Sequence, residues 1–290
     1  MSVAHWKGRT YLRRIAAKAK KLMGRGVATP FAWLDAATRS EVLEGLTETM
    51  NLTVQTRLGS IQLYVPTPRL LERGNGMLAK EPDTISWIDG FREGSVFWDV
   101  GANVGVFSLY AAAKRGVSVL SFEPLAANFH VLSRNIQLNG FDGRATAYCI
   151  ALSSATELGL LNMPSAAMGS ALTQFGVSGD MSPYCDRGAK ACKQGMIGFS
   201  IDDFMSQFRP PFPNYLKLDV DGLEWRILQG ATRTLRDSRL RSLIVELPVS
   251  GERERDLAIE LLQDCGFRLV SCGNIQGTET MDAANHLFER

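Results

Sequence analysis

The segment Phe97-Trp98-Asp99-Val100-Gly101-Ala102-Asn103-Val104-Gly105 constrains this chain more than any other. A short apolar run ends in an acid, two glycines frame a sharp bend, and a helical pattern follows. Glycine lets a backbone turn tightly and approach a ligand closely, and the carboxyl ends of strands in open α/β sheets are where ligands bind. The rest of the chain fits the same plan. Ser95–Val100, Val117–Phe122, Ala145–Ala151, Tyr215–Val220 and Ser242–Leu247 read as short apolar strands. Val104–Lys114, Leu125–Leu138, Leu223–Leu235 and Glu252–Cys265 read as helices between them. Strands apolar on both faces and alternating with helices predict an α/β, mostly parallel, doubly wound sheet. Phe267–Ser271 and Asn285–Arg290 have no helix between them and predict an antiparallel last strand pair.

Ahead of that domain, at 92–290, a basic helical extension is expected over 1–51. A cover made of a hairpin and a helix is expected over 52–91. The hairpin joins Leu52–Leu58 to Ile61–Val65 across Gly59-Ser60, and the helix starts near Pro82. Thr38 with Glu41 has capping-box spacing. The α/β rhythm stops at 152–200, where Glu157–Asn162 and Gln194–Ser200 are expected to pair around a long loop, a candidate substrate lid.

Two further acidic elements sit at strand ends. Val117–Phe122 runs into Glu123-Pro124, where a carboxylate can accept from both hydroxyls of a ribose, and Glu123 follows Gly105 by 18 residues, near the roughly 20 typical of ribose recognition in a nucleoside site. Lys217-Leu218-Asp219-Val220-Asp221-Gly222-Leu223-Glu224 gathers three carboxylates and a lysine, and Glu246 ends the fifth strand. A dinucleotide would call for G-x-G-x-x-G and room for a diphosphate, but this turn has only Gly101 and Gly105 beside an acid. S-adenosylmethionine is phosphate-free and cationic, and suits acids at adjacent strand tips. Asp99, Gly101, Asn103, Gly105 and Glu123 are therefore the expected cofactor-binding residues.

These motifs together identify a resemblance. The chain is similar to the FkbM-type family of S-adenosylmethionine-dependent methyltransferases in Glu81-Pro82-Asp83-Thr84, Asp99 to Ser108, Phe122-Glu123-Pro124, Ser200-Ile201-Asp202-Asp203-Phe204, Lys217 to Glu224, and Asn285 to Arg290. The resemblance spans about Glu81 to the C-terminus. It implies a Rossmann-like class I methyltransferase fold and methyl transfer to a hydroxyl oxygen, with a small molecule or glycan as acceptor. Where the family commonly has Glu, this chain has Asp221. Lys217, Asp219, Asp221 and Glu224 are the expected catalytic group, with Asp219 as base or orienting acid, and Glu246 is expected to meet substrate.

Charge and cysteine usage narrow the partners. Residues 1–25 hold eight basic residues and no acid, leaving 24 basic and 30 acidic residues, a net −6, in the remainder. An acidic body argues against a general nucleic-acid partner. The basic segment reads as a solvated tail, the alternative being peripheral contact with an anionic membrane face. Five scattered cysteines without C-x-x-C spacing, no long apolar run and no secretory h-region lead to a cytoplasmic expectation, with a position peripheral to the inner membrane face as the alternative. No metal site is expected: His5, His130 and His286 lack ligand spacing, and although Asp221, Glu224 and Glu246 are oxygen ligands of the kind Mg²⁺ takes, their spacing does not call for a metal. Two alternatives stand beside the methyltransferase reading. One is an RNA ribose 2′-O-methyltransferase, through the partial likeness of Lys217, Asp219 and Glu246 to a Lys-Asp-Lys-Glu set. The other is a membrane-surface adaptor with a relict methyltransferase fold.

Overall fold

The computed structural model describes residues 34–176, 192–249, 253–273, 276–278 and 281–290. The expected basic helix, its membrane role, and the central part of the candidate lid with Cys185 lie outside these residues. Contacts divide the chain into Met1–Met50 and Asn51–Arg290. In the first unit, Ala36–Glu48 is a helix capped by Asp35, whose Oδ1 accepts from the Thr38 amide at 2.9 Å. The helix therefore starts earlier than the Thr38–Glu41 spacing predicts, because the aspartate reaches the free amide first.

The second unit is built on a mostly parallel sheet. Its strands are β3 (Val96–Val100), β4 (Ser118–Phe122), β5 (Ala145–Tyr148), β10 (Tyr215–Leu218), β11 (Ser242–Pro248), β12 (Arg268–Cys272) and β14 (Met281–Glu289). They lie in the order β12-β14-β11-β10-β3-β4-β5, with β13 (Gln276–Thr278) paired to β14. β3, β4, β5, β10 and β11 pair in parallel, and β14 is antiparallel to both β11 and β12. This is the Rossmann-like class I methyltransferase arrangement.

Period-2 alternation buries both faces. Trp98, Val100, Leu120, Phe122, Leu216 and Leu218 enter one apolar cluster, while Phe97, Val119, Tyr215 and Ile244 enter another on the opposite face. Each such side chain contributes about 1.5–3 kcal/mol on full burial. The same alternation sets a polar row into the second face. Asp99 is in register with Ser121 on one side and Lys217 on the other, so all three point the same way.

Two expected elements break. The run Ala145–Ala151 divides after Tyr148, and Ala151–Ser153 (β6) joins a separate sheet ordered β6-β9-β7-β8. There β7 (Glu157–Met163) pairs antiparallel with β9 (Cys192–Ser200), as the alternation predicts, and with β8 (Gln174–Phe175). The helix expected over Leu223–Leu235 is two, Glu224–Gln229 and Thr232–Arg236, interrupted at Gly230. A β-carbon on Gly230 would lie 2.4 Å from the Ser153 carbonyl oxygen, so the backbones touch where the helix stops.

Residues 51–91 pack as part of this unit. β1 (Asn51–Thr56) and β2 (Gly59–Tyr64) form the hairpin, turning at Arg57-Leu58 rather than Gly59-Ser60. The β2 edge is closed by side chains: the Tyr64 amide donates to Asn135 Oδ1 at 2.7 Å, and the Gln62 amide to Asn139 Oδ1 at 2.8 Å. The helix Pro82–Asp89 starts at the expected proline and is pinned by Trp87 Nε1 donating to Ser242 Oγ at 2.8 Å. A helix at Pro68–Asn75, capped by Thr67, has no counterpart in the sequence reading.

Candidate active site

A cavity of about 420 Å³ opens at the carboxyl ends of β3, β4, β10 and β11. Gly101, Asn103, Glu123, Lys217, Asp219, Asp221 and Glu246 line it, as do Arg73, Lys80, Glu81, Asn128 and Ser170. The glycine turn forms one wall. Gly101 has φ +81° and Asn103 φ +51°, both in the left-handed region that glycine and, next best, asparagine tolerate. The Gly101 amide donates to the Phe122 carbonyl at 3.0 Å, which holds the turn against β4.

Glu123 is buried and anchors that wall. Its Oε2 accepts from the Asn103 amide at 2.7 Å, and its Oε1 accepts from the Leu125 amide at 2.9 Å and from Asn128 Nδ2 at 3.3 Å. Burial pushes it up to about 7, against the pull of those donors. A carboxylate offers about four lone-pair positions, so Glu123 has room for one more donor rather than the two hydroxyls of a ribose.

The floor is a chain of charges. Lys217 is 1% exposed and pairs with Asp219, and its Nζ lies 3.8 Å from Glu81 Oε2 and 4.8 Å from the Phe107 ring centroid. Burial alone would depress the lysine, but Asp219, Glu81 and Asp99 outweigh it and keep it protonated. Burial likewise works against ionisation of Asp219, yet Lys217 holds it below the usual carboxylate range. Glu246 is pushed up to about 9, first by the Asp219 charge and then by burial. At neutral pH Asp219 is therefore ionised while Glu246 carries a proton directed to it. Asp221 (φ +57°) reaches over the cavity, accepting from the Leu172 amide at 2.5 Å and the Thr173 amide at 3.3 Å.

Three expected site residues fall outside the lining. Asp99 is buried beneath the turn, accepting from Ser108 Oγ at 2.5 Å; burial pushes it up to about 6, and it acts on Lys217 through charge. Glu224 is buried under the loop after β10, where its Oε1 accepts from the Val220 and Gly222 amides at 2.8 and 3.3 Å and burial raises it to about 7. Gly105 packs against Leu132, whose Cδ1 would lie 2.5 Å from an added β-carbon. These residues shape the site without facing it.

Residues beyond the expected set also line the site. Glu81 accepts from Thr84 Oγ1 and Asn285 Nδ2, each at 3.0 Å, besides pairing with Lys217. In the sequence it stands only as the first residue of the Glu81-Pro82-Asp83-Thr84 motif, and two of its partners, Lys217 and Asn285, are remote in the chain. The segment from Met168 to Thr173 straps the cavity. Arg73 Nε and Nη2 donate to the Gly169 carbonyl at 3.0 and 2.8 Å, and the Ser170 carbonyl accepts from Asn103 Nδ2 and Asn128 Nδ2 at 2.9 and 3.0 Å.

The family model described as the Methyltransferase FkbM domain matches residues 99–269, from the acid under the glycine turn into β12. The chain belongs to the FkbM methyltransferase family. Methyltransferase sdnD of Sordaria araneosa is 29% identical over 192 residues, 59% of this chain and 73% of that protein. Methyltransferase 1 of Beauveria bassiana is 30% identical over 189 residues, 62% and 75%. Hexuronic acid methyltransferase AglP of Haloferax volcanii is 28% identical over 160 residues, 53% of this chain and just over half, 56%, of AglP. The protein is thus an S-adenosylmethionine-dependent methyltransferase. Among the described residues, no helix is long and apolar enough to cross a membrane.

The residues present fit this methyl donor. Asn103 Oδ1 is buried at the cavity without a hydrogen-bond donor among the described residues, an acceptor that an amino group would satisfy. Five carboxyl groups face three basic groups in the lining, and burial of Glu123 and Asp221 and the Asp219 charge beside Glu246 oppose their ionisation, an opposition that a cationic ligand would relieve.

A pH dependence follows. Glu123 and Glu224, each about 7, and Asp221, about 6, lie above their unfolded values of 4.5 and 3.8. Raised acids favour the folded state fully below the unfolded value, and that contribution is lost as pH climbs through the folded one. The ligand-free protein should therefore lose thermal stability between about pH 4 and 7, and further toward 9 through Glu246. S-adenosylmethionine, a cation, should raise the melting temperature more at pH 8 than at pH 5. Scanning calorimetry at both pH values checks this; a larger stabilisation at pH 5 would contradict it.

Proposed function

We propose that the protein methylates a hydroxyl oxygen of a small molecule or glycan. The observation that carries the reading is buried Lys217 paired with half-buried Asp219, with Glu246 beside them, on a cavity whose other wall is the glycine turn and Glu123. AglP, whose name gives a hexuronic acid as its acceptor, favours a sugar.

When bound, S-adenosylmethionine supplies a methyl group on a sulfonium that leaves as a neutral thioether. The chain's own task is to hold an alcohol oxygen in line and receive its proton. Well-placed reactants reach effective molarities of about 10⁵–10⁸ M. Asp219, ionised at neutral pH, accepts the hydroxyl hydrogen bond and then the proton. Lys217 fixes the Asp219 carboxylate, and Glu246 orients acceptor hydroxyls. Asp221 ties the strap to the floor through the Leu172 and Thr173 amides. Gly101, Asn103 and Glu123 hold the donor's nucleoside, with one ribose hydroxyl on Glu123.

The Glu123→Ala variant should bind S-adenosylhomocysteine about 10- to 100-fold more weakly, the loss of a hydrogen bond to a charged group. Titration calorimetry measures this, and unchanged affinity would reject the ribose role. The acceptor class is tested by incubating protein and S-adenosylmethionine with hydroxylated glycans and small molecules and following a gain of one methylene mass. Methylation only at nitrogen or carbon would sink the hydroxyl reading.

A further inference from the structure

Arg73 and Lys80 enter the cavity from residues 68–80, which precede the segment matched by the family model. Every carboxylate on the lining has partners of its own. Glu81 and Asp219 hold Lys217, Glu123 and Asp221 accept backbone amides, and Glu246 donates a hydrogen bond to Asp219. The two cations are not answered in the same way. Arg73 is half-buried and directs Nε and Nη2 at one neutral oxygen, the Gly169 carbonyl. Neither Arg73 nor Lys80 has a carboxylate within 4.0 Å among the described residues, although Asp221, Asp219 and Glu123 lie close enough for their charges to be felt at Arg73, and Asp219 feels Lys80. A guanidinium half out of water with no carboxylate in contact is incompletely compensated, and an anion arriving with the ligand would offset that cost. Burial accordingly depresses Arg73.

Resting on the methyl-transfer reading, we propose that Arg73 and Lys80 form a binding site for a carboxylate carried by a ligand. The Nη1 donors of Arg73 are uncommitted among the described residues, and a guanidinium fork matches a carboxylate in two parallel hydrogen bonds. A singly charged, planar anion is favoured over a phosphate dianion, because Asp219, ionised at neutral pH, lines the same cavity. Two sources carry this chemistry, the amino-acid end of the donor and an acid group on the acceptor.

Both sources are tested on the full-length protein. Calorimetry compares S-adenosylhomocysteine with its decarboxylated analogue in wild type, Arg73→Gln and Lys80→Gln. Saturation-transfer NMR then compares methyl glucuronide with methyl glucoside on protein saturated with S-adenosylhomocysteine. A wild-type preference of about ten-fold or more for the carboxylated donor product, lost in Arg73→Gln and reduced in Lys80→Gln, supports the site with the donor as source. A preference for the glucuronide that disappears in the same variants supports it with the acceptor as source. Lys80 is exposed, so its variant remains informative if Arg73→Gln fails to fold. No carboxylate preference in either arm, or one that both variants retain, overturns the proposal alone. Failure of wild type to bind S-adenosylhomocysteine would overturn the methyl-transfer reading and this site with it.

Discussion

Methyl transfer should fall by about 10²–10⁴-fold in the Asp219→Asn variant, the range lost when a positioned proton acceptor is removed, while S-adenosylhomocysteine still binds. Asparagine keeps the shape and can still meet Lys217, so the floor stays filled; what disappears is the charge. Lys217 then retains Glu81 at 3.8 Å as its contact partner. A second readout needs no acceptor. The Asp219 charge is the largest cause of the high value of Glu246, so the variant should let the Glu246 carboxyl titrate well below about 9, visible by carbon NMR of labelled glutamate. Near-normal turnover would remove Asp219 from its role. An unmoved Glu246 would show that the Asp219 charge is not what holds its proton. Lys217→Ala is a harsher test, because it strands Asp219, Glu81 and Asp99 without their cation. Breaking a buried pair from one side costs about 3–5 kcal/mol, so lost turnover in that variant mixes catalysis with folding.

The Gly101→Ala variant should be the most destabilising single change in the turn. An added β-carbon would stand 1.7 Å from the Asp219 carbonyl oxygen and 2.8 Å from its carbon. Neither side can yield easily, since the Gly101 amide is bonded to Phe122 and the Asp219 amide to the Val100 carbonyl at 3.1 Å. A positive φ adds strain that alanine does not tolerate. A cost of about 4 kcal/mol or more is expected, against a total stability of ~5–15 kcal/mol. For a unit of this size that corresponds to a fall of roughly 8–16 °C in melting temperature, with loss of donor binding because the turn and the floor separate. Gly143→Ala is the control: an added β-carbon there meets nothing within 4 Å. If Gly101→Ala melts like Gly143→Ala, the close approach of turn and floor is wrong.

Much of this site was legible in the chain because its parts are local. Gly101, Asn103, Glu123, Lys217, Asp219, Asp221 and Glu246 sit at or just beyond strand ends, where apolar runs stop, and all seven line one cavity. Asp99 and Glu224 carry the same local signature, an acid beside a turn, but backbone amides and Ser108 take up their oxygens. Whether a strand-end acid faces a ligand or its own backbone depends on how the following loop closes, which spacing does not encode.

The alternation of strands and helices, the parallel sheet with its antiparallel closing strand, and the glycine turn follow from the chain's local patterns, since periodicity, turn residues and caps act within a few positions. Which charges meet across the site follows from the packing of distant elements. Arg73 reaches Gly169 across 96 residues, and Asn285 reaches Glu81 across 204. The strap over the cavity, the second carboxylate on Lys217 and the two cations at the wall exist because the sheet's order brings the segment before β3 against β10 and β14. Contacts of that range depend on how whole elements pack, not on any neighbouring residue.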